Sequence, residues 1–224
     1  MRVTRIAMIG ATGLIGRGLA ARLVGAHDLL LIGRRSAGVG GAEEKLGAMA
    51  DWPGLLAGER IDVAISTLGT TIKQAGGWAA FRAVDVDAVL GFAGAAKAAG
   101  ARQILSVSSV GALHGARNKY LAMKGETERG LEKLGFERLD IVRPGLLRGD
   151  RGGDRRLGER IGSVISPLAN LLLRGSLDKF AAIDAEVVAK AMAALVGAAG
   201  TGRHVHFNRG LKALVNDRAC GSFD

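Results

Sequence analysis

The 224-residue sequence has one cysteine, Cys220, and one tyrosine, Tyr120. A lone thiol cannot form an internal bridge. That excludes a disulfide-stapled secreted scaffold and sets the expectation of a reducing, cytoplasmic compartment. Aromatic residues make up only 4%, which leaves the core to Ala, Val, Leu and Ile. The longest strongly apolar uncharged run, SVISPLANLLL at 163–173, is too short to cross a bilayer, so no membrane span is expected. The opening MRVTRIAMIG meets glycine too early for a secretory signal. Internal repeats and a linker to a second domain are also missing.

Hydrophobic residues reach 48%, enough for a full core. The formal net charge is +10. Such a balance suits nucleic acid, anionic lipid or a phosphorylated ligand. The basic residues are scattered, apart from RGDRGGDRR at 148–156, so nucleic acid is not an expected partner.

Short apolar strands alternate with helical patterns along the chain. Strands are read at 3–10, 28–33, 46–51 (the weakest), 61–67, 103–109, 138–144 and 203–207. Helices are read at 14–25, 82–99, 118–134, 159–174 and 184–198. Continuous apolar strands separated by helices predict a parallel sheet covered on both faces. Right-handed crossovers make it an α/β doubly wound sheet, a Rossmann fold. We read 1–224 as one such domain, with 146–180 as a substrate-side loop and helices.

The first strand runs into GATGLIG, where Gly10, Gly13 and Gly16 open the first helix. A sharp turn, backbone approach to a pyrophosphate and close helix–sheet packing each favour glycine, and the helix N-terminus offers free N–H groups to an anion. Thr12 stands between the first two glycines, so the loop departs from G-x-G-x-x-G. The alternative is a structural turn. After the second strand comes Gly33-Arg34-Arg35, with no acid between Asp28 and Glu43. An acid in this region holds the ribose 2′-hydroxyl in NAD sites. Two arginines instead suit a 2′-phosphate, so NADP(H) is expected over NAD(H). A solvated basic turn is the plainer reading.

In NKYLAMKGE, Lys124 follows Tyr120 by four residues, on one face of a helix. A phenol ordinarily titrates near ~10. A nearby ammonium makes it a usable acid–base group at neutral pH. The spacing also occurs by chance on wet helices. The serines that end LSVSSVGA strengthen the case, because doubly wound sheets bind ligands at the carboxyl ends of strands. Ser109 is the choice to orient a carbonyl, with Ser108 kept as the alternative.

Together GATGLIG, LLLIGRR, STLGTT, VDVDAV, LSVSSVGA, YLAMKGE and IVRPGLLRGDR resemble the short-chain dehydrogenase/reductase superfamily. The resemblance is to its atypical branch, related to the HIV Tat-interactive oxidoreductase-like proteins. It implies a Rossmann-fold, NADP-binding oxidoreductase with Ser109, Tyr120 and Lys124 as the catalytic set. The phosphate loop would comprise Gly10, Thr12, Gly13, Leu14, Ile15 and Gly16, followed by Arg34 and Arg35. Asp51 and Trp52 would lie at the adenine. Thr67, Leu68, Gly69 and Thr70 would line the cofactor, Lys124 would bind its ribose, and Pro144 and Gly145 would lie near the nicotinamide. Asp85 falls where relatives often carry an asparagine that supports a proton relay. The chain is too short for the full substrate domain of sugar-nucleotide epimerases.

The expected activity is hydride transfer between NADP(H) and a small carbonyl or alcohol. The alternative is an NADPH-sensing, partner-binding protein with little turnover. A small-molecule substrate is expected, and homo-oligomer formation stays open. His204 and His206 share a strand face, but two histidines make a poor metal site, so no metal is expected. His114 is a candidate for the pocket wall. Cys220 has no evident histidine partner and is read as a bystander.

Overall fold

The computed structural model of the chain describes residues 4–149 and 175–220. The elements are β1 (Arg5–Ile9), α1 (Leu14–Leu23), β2 (Asp28–Gly33), β3 (Glu43–Leu46), α2 (Trp52–Leu55) and β4 (Val63–Ser66). Then come α3 (Ile72–Ala75), α4 (Trp78–Arg82), α5 (Ala88–Ala98), β5 (Gln103–Val107), α6 (Lys119–Lys133) and β6 (Arg138–Val142). The last are β7 (Leu147–Arg148), β8 (Ile183–Asp184), α7 (Ala185–Leu195), β9 (Gly202–His206) and α8 (Asn208–Cys220).

Seven strands form one parallel sheet in the order β3-β2-β1-β4-β5-β6-β9. That is the doubly wound order, with its topological switch between β1 and β4. Alternate residues of the central strands feed two cores. Ile6, Met8, Leu29, Leu31 and Ile65 pack with α1 and α7 on one face. Ala7, Ile9, Leu30, Ile32 and Ala64 pack with α2 and α5 on the other. Alanine and branched aliphatic side chains fill both layers, as the scarcity of aromatics requires.

Several elements differ from the sequence reading. The third strand lies at Glu43–Leu46 instead of 46–51, and Met49–Asp51 is a 3-10 turn. An edge strand needs a partner on one side only, so the charged EEKL serves where apolar content pointed elsewhere. The helix expected over 82–99 begins at Trp78 and contains a π-helical turn from Ala83 to Asp87. The helix α8 was not foreseen. The segment 159–174, including the apolar 163–173 run, and most of the Arg-rich 147–162 segment lie outside the described residues. Among the described residues no helix is long and apolar enough to cross a membrane.

A charged cluster ties β5, β6 and β9 together. Arg138 grips Asp140 with two bonds of 2.7 and 2.9 Å, Gln103 Nε2 donates to it at 2.8 Å, and His206 Nε2 lies 2.8 Å from it. Burial pushes the Asp140 carboxyl upward, but hydrogen bonds from His206, Arg138 and Gln103 outweigh it and hold the group below its ordinary range. Its folded value is therefore lower than its unfolded one. The stability it contributes is complete above about pH 4 and is lost as pH falls through the folded value. Urea unfolding across pH 2–6 should show this acid-side loss, and Asp140→Ala should flatten it. By removing one partner of a buried pair, that substitution should also cost about 3–5 kcal/mol.

Candidate functional site

The site is built at the carboxyl edge of the sheet, beginning with the turn from β1 into α1. Gly10 has φ +86°, and a Cβ there would lie 2.5 Å from the Leu68 N and 2.6 Å from the Thr67 carbonyl carbon. A Cβ on Gly16 would fall 2.1 Å from the Gly10 carbonyl oxygen. These two glycines let the turn close against the end of β4, where Thr67 N–H and Oγ1 both donate to the Ile9 carbonyl. The N-cap is Gly13, no side chain caps the helix, and its first turn contains no acid. Ile15 is buried in the core. The first N–H groups of α1 thus remain available to an anion.

From this turn a cleft of about 340 Å³ runs along the ends of β1 and β2. Gly10, Thr12, Arg34, Arg35, Trp52 and Leu68 are among its walls. Arg34 and Arg35 are exposed and have no ion-pair partner among the described residues. The cradle that admits no Cβ and the uncapped helix start fit the pyrophosphate of a dinucleotide. Trp52 is buried and donates its Nε1–H to the Gly47 carbonyl at 3.1 Å, so it contributes an edge of the wall. Asp51 is exposed on the 3-10 turn and does not line the cleft. A second cavity, of about 290 Å³, lies at the opposite edge between Asp62, Arg102, Glu137 and Gly197. Ligands of doubly wound sheets sit at the carboxyl edge, so chemistry is assigned to the first cleft.

Helix α6 presents Tyr120 and Lys124 one turn apart. Asn118 caps it, accepting from the Leu121 N–H at 3.1 Å. Tyr120 is half-buried, its ring 5.6 Å from that of Phe81. Lys124 is 7% exposed, and its Nζ lies 2.5 Å from Asp85 Oδ1. Asp85 Oδ2 accepts from the Thr70 N–H at 3.0 Å. Gly69 and Thr70 therefore lie beside Lys124, while the lysine already holds a carboxylate.

The two serines have separate environments. Ser108 is buried and donates to Glu128 Oε1 at 2.6 Å. Ser109 is half-buried, with Oγ 3.3 Å from the Val110 carbonyl. The next residue, Val110, donates its N–H to the Pro144 carbonyl, which brings the ends of β5 and β6 together. Gly145, the next residue after Pro144, is tied to the start of α8. Asn208 Oδ1 accepts its N–H at 3.0 Å, and a Cβ there would fall 2.1 Å from the Ala181 carbonyl oxygen.

Glu128 and Asn208 escaped the sequence reading. Glu128 lies four residues beyond Lys124 on the same helix face, and that spacing was the available signal. It is buried and binds Ser108, Arg143 (Nε at 2.8 Å) and Arg203 (3.0 Å), fixing α6 against β5, β6 and β9. Asn208 left no local signal, because its partners lie at 145, 178 and 181. His204 and His206 stack 6.5 Å apart, and no metal-binding group of side chains occurs among the described residues.

No family model matches the chain. The fmp52 protein of Aspergillus fumigatus is 32% identical over 232 residues, spanning 98% of this chain and 92% of that protein. The FMP52 protein of Coccidioides immitis is 39% identical over 130 residues, 58% of this chain but 52% of that protein. Among solved structures, the Bordetella bronchiseptica enzyme WbmH in complex with NAD+ superposes with a TM-score of 0.67 at 17% identity, covering 100% of this chain and 84% of that one. A short-chain type dehydrogenase/reductase from Mycobacterium ulcerans gives 0.65 at 18% identity, covering 95% and 92%. At that identity the structural likeness establishes the fold.

Sheet order, glycine turn and superpositions together define a Rossmann-fold protein. With a relative 32% identical over nearly its whole length, the chain belongs to the FMP52 family. This corrects the cytoplasmic expectation. The relatives from Coccidioides immitis, Aspergillus niger, Eremothecium gossypii and Candida albicans are all mitochondrial by name. A single cysteine argues against disulfides, but it does not report which reducing compartment holds the protein. Addresses are read by receptors from short segments, not from the composition of a domain.

Proposed function

We propose that the protein is an NADPH-dependent oxidoreductase of the short-chain dehydrogenase/reductase type, acting on a small carbonyl or alcohol. The observation that carries this reading is the continuous cleft from the Gly10 turn to Arg34 and Arg35. The first N–H groups of α1 would receive the pyrophosphate, and the two guanidinium groups would receive the 2′-phosphate. Thr67, Leu68, Gly69 and Thr70 would line the cofactor, and Lys124 would hold its ribose. When bound, NADPH would supply the hydride. Ser109 would orient the carbonyl oxygen by donating its Oγ–H, and Tyr120 would exchange the proton. Ser108 is the weaker choice, because Glu128 already engages it. The segment 146–180 would lie on the substrate side.

The test is a fluorescence titration with NADPH, followed by NADPH oxidation assays on a panel of aldehydes and ketones. Micromolar binding and measurable turnover of at least one carbonyl are expected, and failure to bind NADPH would remove the reading. The Asp85–Lys124 pair favours a second reading, in which NADPH is sensed and scarcely consumed, because the lysine is already engaged by a carboxylate. Binding without turnover across the whole panel would select that reading.

The arginines give a separate prediction. Replacing both with alanine removes the charge-assisted bonds to the 2′-phosphate, each worth about 1.5–3 kcal/mol. NADPH affinity should fall by roughly 10- to 100-fold, while NADH affinity changes less than about threefold. Equal losses for both nucleotides would place the arginines outside the phosphate site.

A further inference from the structure

Phe81 and Asp85 are four residues apart, as are Tyr120 and Lys124, and the structure stacks one pair against the other. The upper rung is the Phe81–Tyr120 ring contact, and the lower is the Lys124–Asp85 ion pair. Asp85 sits in the π-helical turn, which closes with the Ala88 N–H on the Ala83 carbonyl. Such turns are frequent at functional sites. The Asp85 side chain is fully buried, its Oδ2 accepts from Thr70, and its carbonyl accepts from Thr127 Oγ1 at 2.8 Å. A Cβ on Gly69 would lie 3.7 Å from Asp85 Oδ1 and 3.9 Å from Lys124 Nζ. Gly69 is exposed, so the ion pair lies directly behind the loop that follows β4.

An ammonium on the phenol's side of the helix favours the phenolate, and a carboxylate against that ammonium cancels much of the effect. Several other charges on the packed elements have partners of their own. Arg82 of α4 grips Glu126 of α6 with two bonds and lies 3.6 Å from Asp87. Lys119 lies over the Trp78 ring, and His114, in the loop before α6, acts on Glu126.

We propose that Asp85 is a positioning residue that holds the Lys124 ammonium in place and offsets its charge, so that the ammonium promotes loss of the Tyr120 proton less than it would alone. This rests on the reading of Tyr120 as the acid–base group. In the reductive direction the carbonyl carbon gains a hydride from a reduced nicotinamide, which is thereby oxidised. The C=O π electrons form an O–H bond with the Tyr120 proton, and the tyrosinate is reprotonated from water.

Because the chain has a single tyrosine, ¹³Cζ NMR of the full-length, tyrosine-labelled protein follows the titration of this phenol without any substrate. Asp85→Asn is expected to lower the titration midpoint by about one pH unit, a tenfold change in the proton equilibrium. A fall of less than about half a unit, or a rise, overturns the proposal. A purely structural role would lower the unfolding temperature and leave the midpoint in place. Should that variant fail to fold, Asp85→Asn combined with Lys124→Met removes both charges. It should then titrate within about half a unit of the parent, and a larger displacement overturns the proposal. Turnover retained by Tyr120→Phe would overturn the acid–base reading on its own, whatever the NMR shows.

Discussion

Tyr120→Phe should lower turnover by roughly 100- to 10,000-fold, the range over which a positioned acid–base group contributes, while the NADPH dissociation constant changes less than about threefold. The asymmetry follows from placement. The Tyr120 ring packs on Phe81, and phenylalanine keeps that contact. The residues read as holding the nucleotide lie at Gly10–Gly16, at Arg34 and Arg35, and at Lys124, none of which the substitution alters. Steady-state kinetics on an active carbonyl, set beside a fluorescence titration with NADPH, measure the two effects independently. Parent-level turnover in the variant would show that the phenol takes no part in proton transfer. Lys124→Met should weaken both turnover and binding, because one ammonium is read as serving both the phenol and the ribose.

The second large effect is expected from Gly16→Ala. The added Cβ would fall 2.1 Å from the Gly10 carbonyl oxygen and 2.8 Å from Thr67 Oγ1. The first of these atoms is backbone, so the turn itself must shift. Overpacking of this kind costs about 1–3 kcal/mol, a drop of roughly 2–12 °C in unfolding temperature for a chain of this size. The larger consequence is for binding, because a displaced turn no longer aims the first N–H groups of α1 at a pyrophosphate. NADPH affinity should fall at least ~100-fold. Thermal unfolding with and without saturating NADPH separates the two losses. The parent should be stabilised by the nucleotide, and the variant should not. A variant still stabilised to the same degree would place the nucleotide elsewhere.

The glycine turn, the Arg34-Arg35 pair and the Tyr120/Lys124 spacing were all legible along the chain. Each is a local feature, written within a few residues by steric demand, charge or helical period. The Asp85–Lys124 pair was half legible. Asp85 was noticed as a departure from an asparagine, but its ionic contact spans 39 positions and depends on a π-turn that residue pattern does not announce. Glu128 collects Ser108, Arg143 and Arg203 from three strands or strand ends. Asp51, placed at the adenine by resemblance, sits exposed on a 3-10 turn, a conformation that the sequence pattern, read as a strand there, did not announce.

By itself, then, the order of residues determined a doubly wound parallel sheet, because continuous apolar strands alternating with helices have one way to cover both faces. It also determined where the chain must turn without side chains. Tertiary structure alone decided which edge strand completes the sheet, which serine stays available, and what the buried lysine holds. Those outcomes depend on groups distant in sequence meeting where little water remains, so that each charge or hydroxyl must find its partner across the fold.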